Sequence, residues 1–184
     1  MSATRRPNRG PSAAAENRAA LIAAAREVFA GAGYDAPLSA IARAAGVGQG
    51  SLYRHFPDRT SLALAVFEDG VSELEALAAD PAATLDDVLA MVTEQTIAST
   101  AFIDMVSVPP LDERMIRVRD RVADVLAGVL ARARGTGAVR ADVTADDLVT
   151  AVGMLAGVLR RTPAPDRHRT AERVWRLLRK GIDA

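Results

Sequence analysis

The sequence predicts an all-α fold, with an N-terminal three-helix unit containing a helix-turn-helix joined to a larger C-terminal helical bundle. Three observations carry this. Apolar residues recur at helical spacing along most of the chain, and no stretch alternates in the manner of a strand. Hydrophobic residues make up 49% and aromatics only 4%, so Ala, Val and Leu fill the apolar quota, a palette suited to closely packed helices. Pro and Gly cut the periodic segments into helix-sized lengths.

Residues 1–14 are rich in Pro, Gly, Ser and Arg and read as a flexible basic arm, either a solvated tail or an arm that touches a polyanion. Leu21, Ala25, Val28 and Phe29 share one face of a first helix ending near Gly31 and Gly33. Pro37, at a permitted first-turn position, opens a short helix to Ala45. Another runs from Gln49 to His55 and stops at Pro57. Asp58 can cap a long helix carrying Leu62, Val66, Leu74 and Leu77 as far as Asp80-Pro81. Thr84 with Asp87, and Thr144 with Asp147, have capping-box spacing. The first pair opens a helix with Leu85, Val88, Leu89 and Val92; the second opens one with Leu148, Val152, Leu155 and Leu159. Between them Val108-Pro109-Pro110 breaks the chain, and Met115, Val118, Val122, Val125 and Val129 form a seam spaced 3-4-3-4 that Gly135-Thr136-Gly137 ends. Pro163 and Pro165 break it again, and Asp166 can cap a last helix with Val174, Leu177, Leu178 and Ile182. The division is an arm (1–14), a helix-turn-helix head (15–60) and a helical body (61–184).

The formal net charge of zero hides an asymmetry. Up to Phe67 there are eight Arg against four acids, a net +4, so residues 68–184 carry −4. A basic head on an acidic body suits a polyanion partner. With no Cys, disulfides, thiolate metal sites and Cys nucleophiles are excluded. The two His, His55 and His168, are far apart, and no Ser-His-acid order, phosphate-cradling Gly loop or HExxH motif occurs. The expectation is therefore no enzyme, no metal and no cofactor. No run approaches the roughly 18 apolar residues that span a bilayer, and no apolar signal segment opens the chain, so no membrane partner and a cytoplasmic location are expected.

The chemistry concentrates between Pro37 and Phe56. Leu38, Ile41, Ala42, Ala45, Val47, Leu52 and Phe56 form the inward set, and small Ala42 and Ala45 let two helices cross closely. Gly46 supplies the positive φ that ends the first. Gln49, Ser51, Tyr53, Arg54 and His55 then project from a second helix about two turns long. Gln pairs bidentately with adenine, Arg with guanine or phosphate, and Ser, Tyr and His donate to phosphates. Gly50 removes a side chain where backbone could approach a groove.

Residues 18–62 resemble the N-terminal domain of the tetracycline-repressor (TetR) family. The likeness is carried by Ala24-Ala25-Arg26-Glu27-Val28-Phe29, Gly33-Tyr34, Ile41-Ala42 and above all the string from Ala45 to Phe56, Ala-Gly-Val-Gly-Gln-Gly-Ser-Leu-Tyr-Arg-His-Phe. The resemblance implies base contacts from Gln49, Gly50 and Tyr53, and phosphate contacts from Ser51, Tyr53, His55 and Arg59, with Arg43 placed to do likewise and Arg54 a further base-reading candidate. Ser39 stands where a longer base-reading residue is common. Pro37 replaces a capping Ser or Thr, and Gly48 replaces a Ser cap at a cost of a few tenths of a kcal/mol.

The resemblance further implies a double-stranded DNA operator as partner, a homodimer, and a C-terminal ligand-binding and dimerisation bundle that holds an unknown small-molecule effector. Candidate lining residues for that effector are Met91, Gln95, Phe102, Met105, Met115 and Met154; Met adapts to irregular apolar shapes. Candidate dimer-interface residues on the last two helices are Leu155, Ala156, Leu159, Val174 and Leu178, near the small Gly153 and Gly157. The function so implied is a ligand-responsive repressor on a palindromic operator. The rival is a helical sensor or partner-docking dimer that does not bind DNA specifically.

Overall fold

The computed structural model describes residues 11–98 and 113–183, which form eight α-helices and one short 3-10 turn. In chain order these are α1 (Pro11–Ala32), α2 (Leu38–Ala44), α3 (Gln49–His55), α4 (Arg59–Ala79), α5 (Leu85–Ala98), α6 (Glu113–Gly135), α7 (Ala145–Arg160) and α8 (Arg167–Ile182). No strand forms among the described residues; the nearest approach is an isolated bridge between Val139 and Asp183.

The start and stop signals act largely as sequence chemistry predicts. At α4 the Asp58 carboxylate accepts from the Ser61 N–H at 2.6 Å, and the Asp58 N–H donates back to the Ser61 hydroxyl. Thr84 and Asp87 form the same reciprocal pair before α5, and Thr144 and Asp147 before α7. The threonine hydroxyl, then the threonine N–H, hold Asp87 and Asp147 below the ordinary aspartate range. Asp166 departs from expectation. It precedes α8 but makes no side-chain cap, and its carboxylate instead accepts from Arg169 at 2.6 Å. A helix-like backbone at Asp166 (φ −101°, ψ −5°) does not aim the carboxylate at the first-turn N–H groups as an extended cap residue would.

Two cores form. In the head, Leu21, Ala25 and Phe29 of α1 close on Ile41 and Ala42 of α2, Leu52 of α3, Phe56, and the Leu62–Val66 stretch of α4. In the body, Leu74 of α4, Val88 of α5, Leu126, Val129 and Leu130 of α6 and Leu148 of α7 pack together. Leu155 and Leu159 of α7 close on Ala171 of α8. Val118, Val125 and Val129 of the expected α6 seam are buried, with Val122 half-buried. Two expected boundaries move. The helix begins at Pro11, inside the segment read as arm, and the head core extends through Val66, past residue 60.

Leu126 has no exposed surface, so Leu126→Ala should cost about 2–5 kcal/mol through lost transfer energy and a cavity. Thr144→Ala removes one cap and should cost about 1 kcal/mol. Urea denaturation of both variants checks the ranking, and a cap loss exceeding the core loss would contradict this packing.

Candidate nucleic-acid interface

The turn between α2 and α3 is built by backbone hydrogen bonds. The Gly46 N–H donates to Arg43 O at 3.1 Å and the Val47 N–H to Ala42 O at 2.9 Å, the paired closure of a Schellman motif. That motif needs a left-handed residue, and Gly46 has φ +65°. Pro37 and Gly48 precede α2 and α3 without any side-chain cap, as their residue types require.

Helix α3 is seven residues long and buries one of them, Leu52, with Phe56 just beyond it buried as well. Arg18 lies over the Phe56 ring with its guanidinium carbon 5.5 Å from the centroid. With those anchored inward, Gln49, Gly50, Tyr53 and Arg54 are exposed, and Tyr53 keeps 52% of its surface, high for a large aromatic ring. Ser51 and His55 are half-buried at the edges of the same helix. From α2, Arg43 is exposed and Ser39 half-buried. Neither Arg43 nor Arg54 makes an ion pair among the described residues, so two full positive charges flank the exposed face. A Cβ built on Gly50 would meet nothing within 4 Å, so nothing inside the chain requires glycine there.

Arg59 is placed differently from the outward phosphate ligand that sequence reasoning suggests. Its Nη1 donates to the carbonyls of Tyr34 and Ala36, and the guanidinium sits 5.4 Å from the Tyr34 ring centroid. One end of the group therefore clips the α1–α2 connection to the start of α4. The residue type signalled a cation; only the fold shows that carbonyls already hold part of it.

Behind the head, α1, α4 and α5 enclose a cavity of about 320 Å³. Met91 and Gln95, two of the expected effector-lining residues, meet here across from Phe67 and Gly70. The Gln95 Nε2 donates to Gly70 O at 2.8 Å, and the amide lies so close that a Cβ at Gly70 would stand 3.3 Å from it. Arg26, which sequence reasoning missed as a site residue, also lines the cavity and binds Asp69 at 2.7 Å and Glu73 at 2.8 Å. An Arg on the polar side of α1 carries no local signal that two acids more than forty residues later will meet it. Met154 is not part of this cavity, being 49% exposed on α7. Phe102 and Met105 lie outside the described residues, as does the side chain of Met115.

The expected dimer residues also shift. Leu155 and Leu159 are wholly buried and Ala156 nearly so, leaving essentially no surface for a partner. Val174 and Leu178 are half-buried against the same chain. The apolar surface on these helices is instead that of Met154, Val158 and Leu177, at 49%, 42% and 68% exposure.

An exposed, uncapped two-turn helix set on a Schellman turn and flanked by free arginines defines a helix-turn-helix DNA-binding protein. Comparison with known proteins gives the family. Residues 21–66 match the family described as bacterial regulatory proteins, tetR family, and residues 80–184 match the C-terminal domain of SbtR-like transcriptional regulators. The chain belongs to the TetR family of transcriptional regulators. It is similar to a TetR transcriptional regulator from Streptomyces coelicolor, with 30% identity over 91% of this chain and 99% of the other and a TM-score of 0.69. A TetR regulator from Mycobacterium vanbaalenii is 30% identical over 94% and 98%, with a TM-score of 0.65. A gamma-butyrolactone receptor shares the fold at 22% identity over 94% and 90%, with a TM-score of 0.58. No curated protein matches the chain. No described helix is long and apolar enough to cross a membrane.

Because Gly50 has open space and ordinary helical φ, Gly50→Ala should leave the fold as stable or raise it by about 0.4–1 kcal/mol. If backbone approaches DNA there, the same methyl lowers DNA affinity. Thermal denaturation and a DNA-binding titration of this variant should move in opposite directions; unchanged DNA affinity would remove Gly50 from the interface.

Proposed function

We propose that this regulator is a repressor that binds a palindromic operator as a homodimer and leaves it when a small molecule binds the body. The observation that carries the reading is the exposed set on α3. Gln49, Tyr53 and Arg54 face solvent on a helix whose other face is locked into the head core. Gln49 and Tyr53 would read base edges with Arg54 as a further reader, while Arg43, Ser51 and His55 would contact phosphates. Ser39, short and half-buried, contributes least. Arg59 would act mainly by holding the α1–α2 connection, with the rest of its guanidinium toward the backbone of the DNA.

A single two-turn helix gives little specificity, and half-sites about 34 Å apart need two heads in fixed relation. Three of the exposed large apolar side chains, Met154, Val158 and Leu177, belong to α7 and α8, which supports these helices as the partner face. Gly153 and Gly157 lie beside Met154 and Val158 with no atom within 4 Å of an added Cβ, so another helix could approach closely. The effector would bind in the cavity containing Met91 and Gln95, and would prefer a state whose heads no longer match the operator. The likeness to a gamma-butyrolactone receptor concerns the fold alone and does not assign that ligand.

A competitor-resistant complex with the chain's neighbouring intergenic DNA, weakening steeply as salt rises, tests the whole reading. Gln49→Ala should relax sequence preference by about 1–3 kcal/mol at one base position, whereas Arg43→Ala should weaken all sequences alike. No specific complex at micromolar protein would leave the DNA-free sensor as the better account.

Val158→Glu, placing a charge on the apolar face, should convert dimer to monomer in sedimentation while preserving helicity. An unchanged mass would place the interface elsewhere.

A further inference from the structure

The cavity behind the head has an unusual combination of walls. Phe67 and Met91 give it an apolar floor, and Glu73 and Glu94 bring carboxylates to it. The Glu94 side chain is 64% exposed and Glu73 46%, so these charges sit at the mouth rather than in the floor. Arg26 is the one cation in the wall among the described residues, and it is already shared between Asp69 and Glu73. Among the described residues Glu94 pairs with His168, at 3.1 Å. Among the described lining residues two carboxylates, Glu73 and Glu94, stand against Arg26, which leaves the mouth with an excess of negative charge. An anionic guest would be repelled by Glu73 and Glu94, and a neutral donor could give them a hydrogen bond but no opposite charge. Gln95, pinned to Gly70 O through its Nε2, retains its carbonyl oxygen as an acceptor.

We propose that this cavity takes an amphipathic cation, a compact apolar group bearing an ammonium-type charge, which competes with Arg26 for Glu73 and thereby loosens α1 from α4. The proposal deepens the effector site above and rests on that reading. Arg26 is next to Ala25 and one turn before Phe29, both buried in the head core, so its grip on α4 is a direct tie between the head and the rest of that helix. A guest cation that occupies Glu73 would remove one of the two bonds in this tie. It need not deform the protein from a distance, because the group it displaces is itself on the head. The larger hollow of about 600 Å³, near Thr84, Arg132 and Asp183, contains no residue of α1, α2 or α3 and lacks such a route.

Calorimetric titration of the full chain with phenylpropylammonium, phenylpropanol and phenylpropanoate, probes that differ in charge, tests the class of guest. The ammonium should bind about tenfold more tightly than the alcohol, as two partly exposed ion pairs allow, with the carboxylate weakest. Glu73→Gln should cut that preference severalfold, with Glu94 keeping the remainder. Arg26→Gln, with unchanged circular dichroism, should strengthen ammonium binding severalfold because the competitor is gone. Equal binding of alcohol and ammonium, tighter binding of the carboxylate, weaker ammonium binding in Arg26→Gln, or no ammonium binding at about 1 mM would each overturn the proposal. The titration contains no DNA, so its failure sinks the cation site alone. Failure of the wild-type chain to hold specific DNA sinks the regulator reading while leaving the calorimetry intact.

Discussion

Helix α4 belongs to two hydrophobic cores at once, and the rest of the structure is arranged around that constraint. Leu62, Ala63, Leu64, Ala65 and Val66 close the head core, while Leu74 enters the body core two to three turns later. A close-packed helix cannot slide freely in one core without disturbing its contacts in the other. The exposed side of α4 from Asp69 to Glu75 carries the ionic ties. Arg26 reaches Asp69 and Glu73 from α1. Arg121 reaches Glu75 from α6 with Nε and Nη2 each at 2.7 Å, and this bidentate pairing holds the Glu75 carboxyl below its usual range. Such exposed pairs contribute little to stability. Their significance is geometric, since each fixes where a neighbouring helix sits against α4.

This explains why the head was so legible in the sequence and the site behind it was not. The turn at Gly46, the burial of Ile41, Ala42, Leu52 and Phe56, and the capping pairs at Asp58, Thr84 and Thr144 are local chemistry, written within a few residues. Spacing alone determines them. The Arg26 ties, the carbonyl clip of Arg59 and the seating of Gln95 on Gly70 join residues 23 to 47 positions apart, and no period announces them.

The same distinction governs the apolar residues of α7. Helical spacing correctly makes a stripe of Leu148, Val152, Leu155 and Leu159, but spacing does not say which side of the stripe meets its own chain. The structure spends Leu155 and Leu159 on Ala171 of α8. The residues one place before each, Met154 and Val158, are left outside. A shift of one residue turns a helix by about 100°, enough to exchange core for surface. The division expected at residue 60 falls inside α4, and the head core takes in that helix as far as Val66.

The exposed face of α3, the candidate reading surface, depends on tertiary ties more than on α3 itself. Seven residues are too few for an autonomous helix in water, and Gly48 gives this one no side-chain cap. Leu52 and Phe56 hold it by burial, and Arg18 stacked on Phe56 adds a second support from α1. The position of Gln49, Tyr53 and Arg54 is therefore set by how α3 rests on α1 and α2. Because α1 carries both the Arg18 stack on Phe56 and the Arg26 tie to α4, a shift of α1 against α4 reaches α3 without touching it directly. The cavity behind the head has both α1 and α4 in its wall, so under the proposed function a small guest there would sit one helix away from the candidate reading face.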